Sequence, residues 1–184
     1  RVLLSNKDDI NVNLANRETF ASSQSLIDFT NDLDVIVHLA DKNVGADKDL
    51  REINMSISKA LTDACGKSEK KIHLIFASST HTILNPKAAY SISKIECSDY
   101  LEKWCARNGS IFTNLVIPHV FGEFGKPFYN SVASSFCYQL ANNEPTKIFD
   151  DKELELLHAL DVAKGIFEII QLQDVGQQKL KGTA

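Results

Sequence analysis

"KIHLIFASSTHTILNPKAAYSISK" (71–94) decides how this chain folds. Its opening, Lys71 to Ser79, is a near-continuous apolar run that ends in hydroxyl residues, the pattern of a strand covered on both faces. A short connection containing Pro86 follows. Residues 88–107 then carry Tyr90, Ile92, Ile95, Tyr100, Leu101 and Trp104 on a helical pattern that closes in "RNG". A second apolar run, "IFTNLVI" (111–117), comes directly after. Strand, long helix and strand in succession predict a parallel pair joined by a crossover.

The same alternation extends in both directions. "DVIVHLA" (34–40) reads as another buried strand, and residues 49–67 place Leu50, Ile53, Ile57, Ala60, Leu61 and Ala64 at helical spacing, with Gly66 to end the helix. Residues 16–32 open on a polar cap with Glu18 near the first turn and are expected to be helical. "RVLLS" (1–5) and "INVNL" (10–14) are short and β-rich; further helices are expected at about 128–142 and 160–172. The tail "GQQKLKGTA" is polar and is expected to fray. The four prolines fall between elements. The expected fold is α/β, a doubly wound, Rossmann-like parallel sheet in one domain over 1–184.

Composition narrows the function. The chain has 184 residues, 43% hydrophobic and 24% charged, with a net charge of −4, which suits an ordinary globular domain and not a nucleic-acid surface. No apolar stretch approaches the roughly 20 residues needed to span a bilayer, and no signal peptide opens the chain, so no membrane partner is expected. Cys65, Cys97, Cys105 and Cys137 form no C-x-x-C pair and read as reduced thiols of a cytoplasmic protein. The five histidines lack metal-ligand spacing, and no metal is assigned.

The chemistry concentrates where the strand at 71–79 ends. Ligands of a doubly wound sheet bind beyond the carboxyl ends of its strands, the place Ser78, Ser79 and Thr80 occupy. Tyr90 and Lys94 stand one helical turn apart and share a face. A hydroxyl, a phenol and an ammonium converging there suit proton transfer to or from an alcohol undergoing hydride transfer. A free tyrosine ionises near about 10, and lowering that by three units costs about 4 kcal/mol. A neighbouring ammonium in a desolvated cleft is expected to supply most of it. The bland reading stands beside this one: Ser79 and Thr80 cap a strand, while Tyr90 and Lys94 lie on a helix surface.

"DVIVHLA", "HLIFASST", "YSISK" and "PHVFGEFGKPFYNSV", in that order, resemble the extended short-chain dehydrogenases/reductases, the NAD-dependent nucleotide-sugar epimerases, dehydratases and reductases. The stretch 121–145 is most similar to the reductases of capsular polysaccharide and O-antigen sugar synthesis. The likeness covers about 10–170. It implies NAD or NADP as cofactor, a nucleotide-diphosphate sugar as substrate, and a homodimer formed through the helices near 49–66 and 88–107, with Ile57, Leu101 and Trp104 supplying apolar area. It implies Tyr90 as general acid/base, Lys94 as its partner and ribose ligand, and Ser79 as the hydroxyl that holds the reacting sugar oxygen, with Thr80 beside it. Asn13, Leu14, Leu39, Ala40, Asn54, Ala77, Ser78, Pro118, His119 and Val120 are the implied cofactor-side positions. His119 and Asn130 join Ser79 and Thr80 on the substrate side, within a substrate-binding portion at about 118–175.

Several positions depart from the family pattern. The sequence contains no G-x-x-G-x-x-G turn, the loop that brings a dinucleotide pyrophosphate onto a helix N-terminus, so it corresponds to the fold without its first βα unit. Val116 stands where relatives often carry arginine, and His119 where they carry asparagine. "THT" (80–82) follows Ser79 where dehydratases have an Asp-Glu pair, which leaves reductase or epimerase. The alternative expectation is a non-catalytic or truncated binding module on the same scaffold.

Overall fold

The computed structural model describes residues 10–148 and 153–183. Among them the chain order is α1 (Ser23–Thr30), β1 (Val35–His38), α2 (Asp47–Cys65), β2 (His73–Ser79), α3 (His81–Leu84), α4 (Ala89–Asn108), β3 (Ile111–Ile117), β4 (His119–Phe121), α5 (Val132–Ala141), β5 (Leu156–His158), α6 (Ala159–Leu172) and β6 (Gly176–Lys179). The main sheet runs β1-β2-β3-β6 and every pairing in it is parallel. A separate parallel pair, β4 and β5, starts where β3 ends.

Alternation along the strands builds the two layers. Ile36, Leu74, Phe76 and Phe112 point to one face and pack on Leu61 and Cys65 of α2 and on Cys97, Leu101 and Cys105 of α4. Val35, Val37, Ile75, Ala77, Leu115 and Ile117 point to the other and meet Val162, Ile166 and Ile169 of α6. Helices on both faces make the sheet doubly wound, as expected. Leu101 is fully buried and Trp104 packs against the same cluster, so both serve the core of this chain. Fully burying one such aliphatic side chain contributes about 1.5–3 kcal/mol. Helix α4 stops at Gly109, whose φ of 65° is a left-handed cap and whose N–H reaches Cys105 O.

Five expectations need correction or placement. "RVLLS" lies outside the described residues, and 10–14 is extended without strand pairing. The helix expected at 16–32 begins only at Ser23. The Asn16 side chain accepts from Glu18 N (2.8 Å) and Thr19 N (3.0 Å), closing a local turn, and Ser22 caps the helix by accepting from Ser25 N (3.1 Å). The helix expected from 128 starts at Val132, because Phe128 has φ 55° and Ser131 supplies the cap. The polar tail does not fray throughout: residues 176–179 pair with β3 as the fourth strand.

Candidate functional site

The carboxyl ends of β1, β2 and β3 form one rim, with Ser79 opposite Ile117 in register. Helix α4 rises beside it. Ser91 Oγ donates to His81 O (3.0 Å) and Ser93 Oγ to Leu50 O (3.3 Å), so two buried serines fix the first turns of α4 against α3 and α2. Tyr90 and Lys94, on either side of these serines, are therefore held at a defined height above the strand ends.

Lys94 is 4% exposed and points into the rim. Its Nζ donates to Ala77 O (2.6 Å), lies 2.9 Å from Asp41 Oδ2, and sits 4.8 Å from the Phe76 ring centroid and 5.8 Å from that of Tyr90. The Asp41 contact is one of charges, since Oδ2 meets no donor at hydrogen-bond angles. A buried ammonium is costly, and the carbonyl and carboxylate are what offset it here. The surface-helix reading of Lys94 is thereby ruled out.

Tyr90 is half-buried and its hydroxyl is held protonated, above the ordinary tyrosine range, first by burial and then by the negative charge of Asp41. This reverses the sequence-based expectation that the lysine lowers it. The His81 ring stands edge-on to Tyr90 (6.4 Å) and to His119 (5.2 Å). His119 is driven toward its neutral form by burial and by His81. His38, at the end of β1, is buried, and its pKa is lowered to about 4 by that burial and then by Lys94, with Asp41 opposing.

The remaining expected site residues distribute as follows. Ser79 Oγ accepts from His81 N (3.2 Å) at the start of α3, and the Thr80 amide donates to Ile117 O (3.1 Å), tying β2 to β3. Ser78 and Pro118 are buried; Leu39 (58%) and Val120 (41%) are exposed at the rim, as is Ala40. Asn54 is buried, and its amide is spent on the loop after β1: Oδ1 accepts from Lys42 N (2.6 Å), while Nδ2 donates to Lys42 O (2.9 Å) and Ser93 Oγ (2.9 Å). That clamp places Asp41. Asn13 and Leu14 are exposed in the segment before α1. Asn130 is exposed next to Tyr129, whose hydroxyl donates to Asn43 Oδ1 (3.0 Å), so the 121–131 segment reaches over the same loop. An open cleft of about 410 Å³ lies further along, lined by Phe121, Glu123, Phe124, Cys137 and His158. It is separate from the Tyr90–Lys94 rim.

Asp41 escaped sequence reasoning, although a carboxylate immediately after a buried strand ending in "HLA" occupies a ligand-facing rim position. His38 and His81 were also missed; neither has a spacing signature. The rim fits the nicotinamide-ribose half of a dinucleotide, offering a buried ammonium with more donor capacity than Ala77 O uses, the Tyr90 hydroxyl, and the exposed apolar side chains of Leu39 and Val120. The pyrophosphate half has no glycine-rich turn to receive it in this sequence.

Comparison with known proteins accords with this geometry. A curated relative, the UDP-2-acetamido-2,6-beta-L-arabino-hexul-4-ose reductase of Pseudomonas aeruginosa, is 25% identical over 152 residues, 82% of this chain and 40% of the reductase. The solved capsular polysaccharide assembling protein CapF of Staphylococcus aureus superposes with a TM-score of 0.71 at 25% identity, over 90% of this chain and 43% of that one. The UDP-N-acetylglucosamine 4-epimerase of Bacillus cereus has the same fold, with a TM-score of 0.72 at 24% identity over 87% of this chain and 60% of the epimerase. The chain thus spans about two fifths of the curated relative's length. Residues 5–180 match the model of the NAD dependent epimerase/dehydratase family, and the chain belongs to that family.

Proposed function

We propose that this chain carries the proton-transfer site of an NAD-dependent enzyme that reduces or epimerises a nucleotide-activated sugar. The observation that carries the reading is the buried Lys94 ammonium, anchored on Ala77 O at the end of β2 with the Tyr90 ring 5.8 Å away. NAD, when bound, supplies or accepts the hydride at the sugar carbon. Tyr90 gives a proton to the sugar oxygen as carbonyl becomes alcohol, or takes it in the reverse direction. Lys94 binds ribose hydroxyls and steadies the charge that develops on the phenol oxygen. Ser79, at the rim beside α3, orients the sugar oxygen by a hydrogen bond, and Leu39, Ala40 and Val120 exclude water from the apolar side of the cofactor. His119 and the 121–131 segment contribute to the sugar-nucleotide side. A homodimer through the outer surfaces of α2 and α4 is part of this reading, with Ile57 and not Leu101 on its surface.

Calorimetric titration with NAD, NADP and a UDP-sugar, followed by an assay for cofactor reduction or oxidation, tests it. Binding of NAD with turnover of a UDP-sugar is the expected result. NAD binding without turnover of any sugar nucleotide would assign the chain to a binding module instead, and the absence of heat from either cofactor would overturn the reading.

A further inference from the structure

The ammonium and the carboxylate at the strand ends stand close together without satisfying one another. Asp41 Oδ2 lies 2.9 Å from Lys94 Nζ, and the two side chains are 16% and 5% exposed. Yet Oδ2 is a buried acceptor with no hydrogen-bond partner among the described residues. Lys94 has three N–H donors, and Ala77 O takes one of them. The arrangement is held from outside the pair. Asn54 grips both backbone polar groups of Lys42, next to Asp41, and is itself braced by Ser93 Oγ of α4.

The other buried side-chain atoms in this condition lie elsewhere: Ser58 Oγ midway along α2, His73 Nδ1 at the first residue of β2, and Asn114 Oδ1 in the middle of β3. Asp41 alone among them is a charged group, and it alone lies just beyond the carboxyl end of a strand, where a doubly wound sheet receives its ligand. A largely buried carboxylate that accepts too few hydrogen bonds is costly, and at such a rim the missing donor is a ligand's.

We propose that Asp41 is a cofactor-binding residue that acts with Lys94 as one acceptor–donor pair for a vicinal diol, the 2′- and 3′-hydroxyls of the nicotinamide ribose. The inference rests on the ribose role proposed for Lys94 and adds the carboxylate to it. A hydroxyl both donates and accepts. An ammonium can only donate to it, and leaves the hydroxyl's own O–H without an acceptor. A carboxylate beside the ammonium accepts from that O–H, in a hydrogen bond strengthened by its charge. Oδ2 is turned in against Lys94, and the exposed remainder of the Asp41 side chain is the face that an incoming hydroxyl meets.

The test is calorimetric titration of the intact protein with NAD and with two analogues that lack the 2′- or the 3′-hydroxyl of the nicotinamide ribose. Each analogue's dissociation constant is divided by that of NAD. In wild type at least one ratio is expected to be about tenfold or more, because the missing hydroxyl forfeits both partners. In Asp41→Ala that ratio is expected to fall severalfold, since only the Lys94 part remains to be lost. Asp41→Asn keeps an acceptor oxygen but not the charge facing Lys94, and its ratio is expected to lie between the other two. Ratios equal in all three proteins overturn the inference, and so does asparagine matching alanine, which would place the whole effect in Lys94. If Asp41→Ala does not fold, wild type against Asp41→Asn decides: a lowered ratio supports the contact and an unchanged one overturns it. No heat from NAD in wild type overturns the underlying reading and this inference with it, whereas NAD binding with unchanged ratios overturns this inference alone.

Discussion

Replacing Asn54 with alanine is expected to loosen the loop that carries Asp41 and to destabilise the domain measurably. Three hydrogen bonds disappear, two to the Lys42 backbone and one to Ser93 Oγ, at 2.6, 2.9 and 2.9 Å. A net contribution of about 1 kcal/mol each gives about 3 kcal/mol. Lys42 is only partly buried and water can reach its backbone, and Ser93 retains Leu50 O, so the expected loss is about 2–3 kcal/mol. With a urea slope of about 2 kcal/mol/M, the unfolding midpoint should fall by about 1–1.5 M with the slope unchanged. The control is Arg51→Ala, which breaks the largely exposed Arg51–Glu96 pair between the same two helices and should shift the midpoint much less, because solvent screens that pair. If Asn54→Ala shifts the midpoint no more than Arg51→Ala does, the clamp is not what holds the loop, and the placement of Asp41 needs another cause.

Other outcomes follow from the core and from the buried histidine. Leu101→Ala, at a fully buried position between α4 and the sheet, is expected to cost about 2–5 kcal/mol, read as a lowered midpoint in the same urea titration; a change under 1 kcal/mol would contradict its assignment to the core. His38 has its folded pKa lowered to about 4, so its unfolded form binds the extra proton first. The stability it confers is full above about pH 6.5 and is lost as pH falls toward 4. Between about pH 7 and about pH 5 this amounts to about 2 kcal/mol, and His38→Asn should flatten that part of the stability–pH curve; an equally steep curve in the variant would refute the assignment.

Legibility followed the strength of the local pattern. Strand β3 matches its expected span of 111–117, and β2 lies within 71–79, because apolar strands buried on both faces are self-announcing. Helix α4 was equally plain, with Gly109 as its stop. Strand β6 was not: Gly176–Lys179 is polar, and only its pairing with β3 makes it a strand. Strands β4 and β5, three residues each, exist through one another and have no periodicity to read. At the site, the Y-x-x-x-K spacing located Tyr90 and Lys94, and the structure brings them to the rim. The sign of the electrostatics did not follow from spacing, since it depends on Asp41, which lies 53 positions before Lys94 and reaches it only through the fold.

The most direct measurement compares Tyr90→Phe with wild type for two quantities at once: turnover of a UDP-sugar and the dissociation constant for NAD. Removing one hydroxyl leaves the Lys94 anchor and the exposed apolar rim in place, so turnover should fall by a factor of about 100 or more while the NAD constant changes little. Undiminished turnover in the variant, with NAD still bound, would contradict the assignment of proton transfer to this phenol.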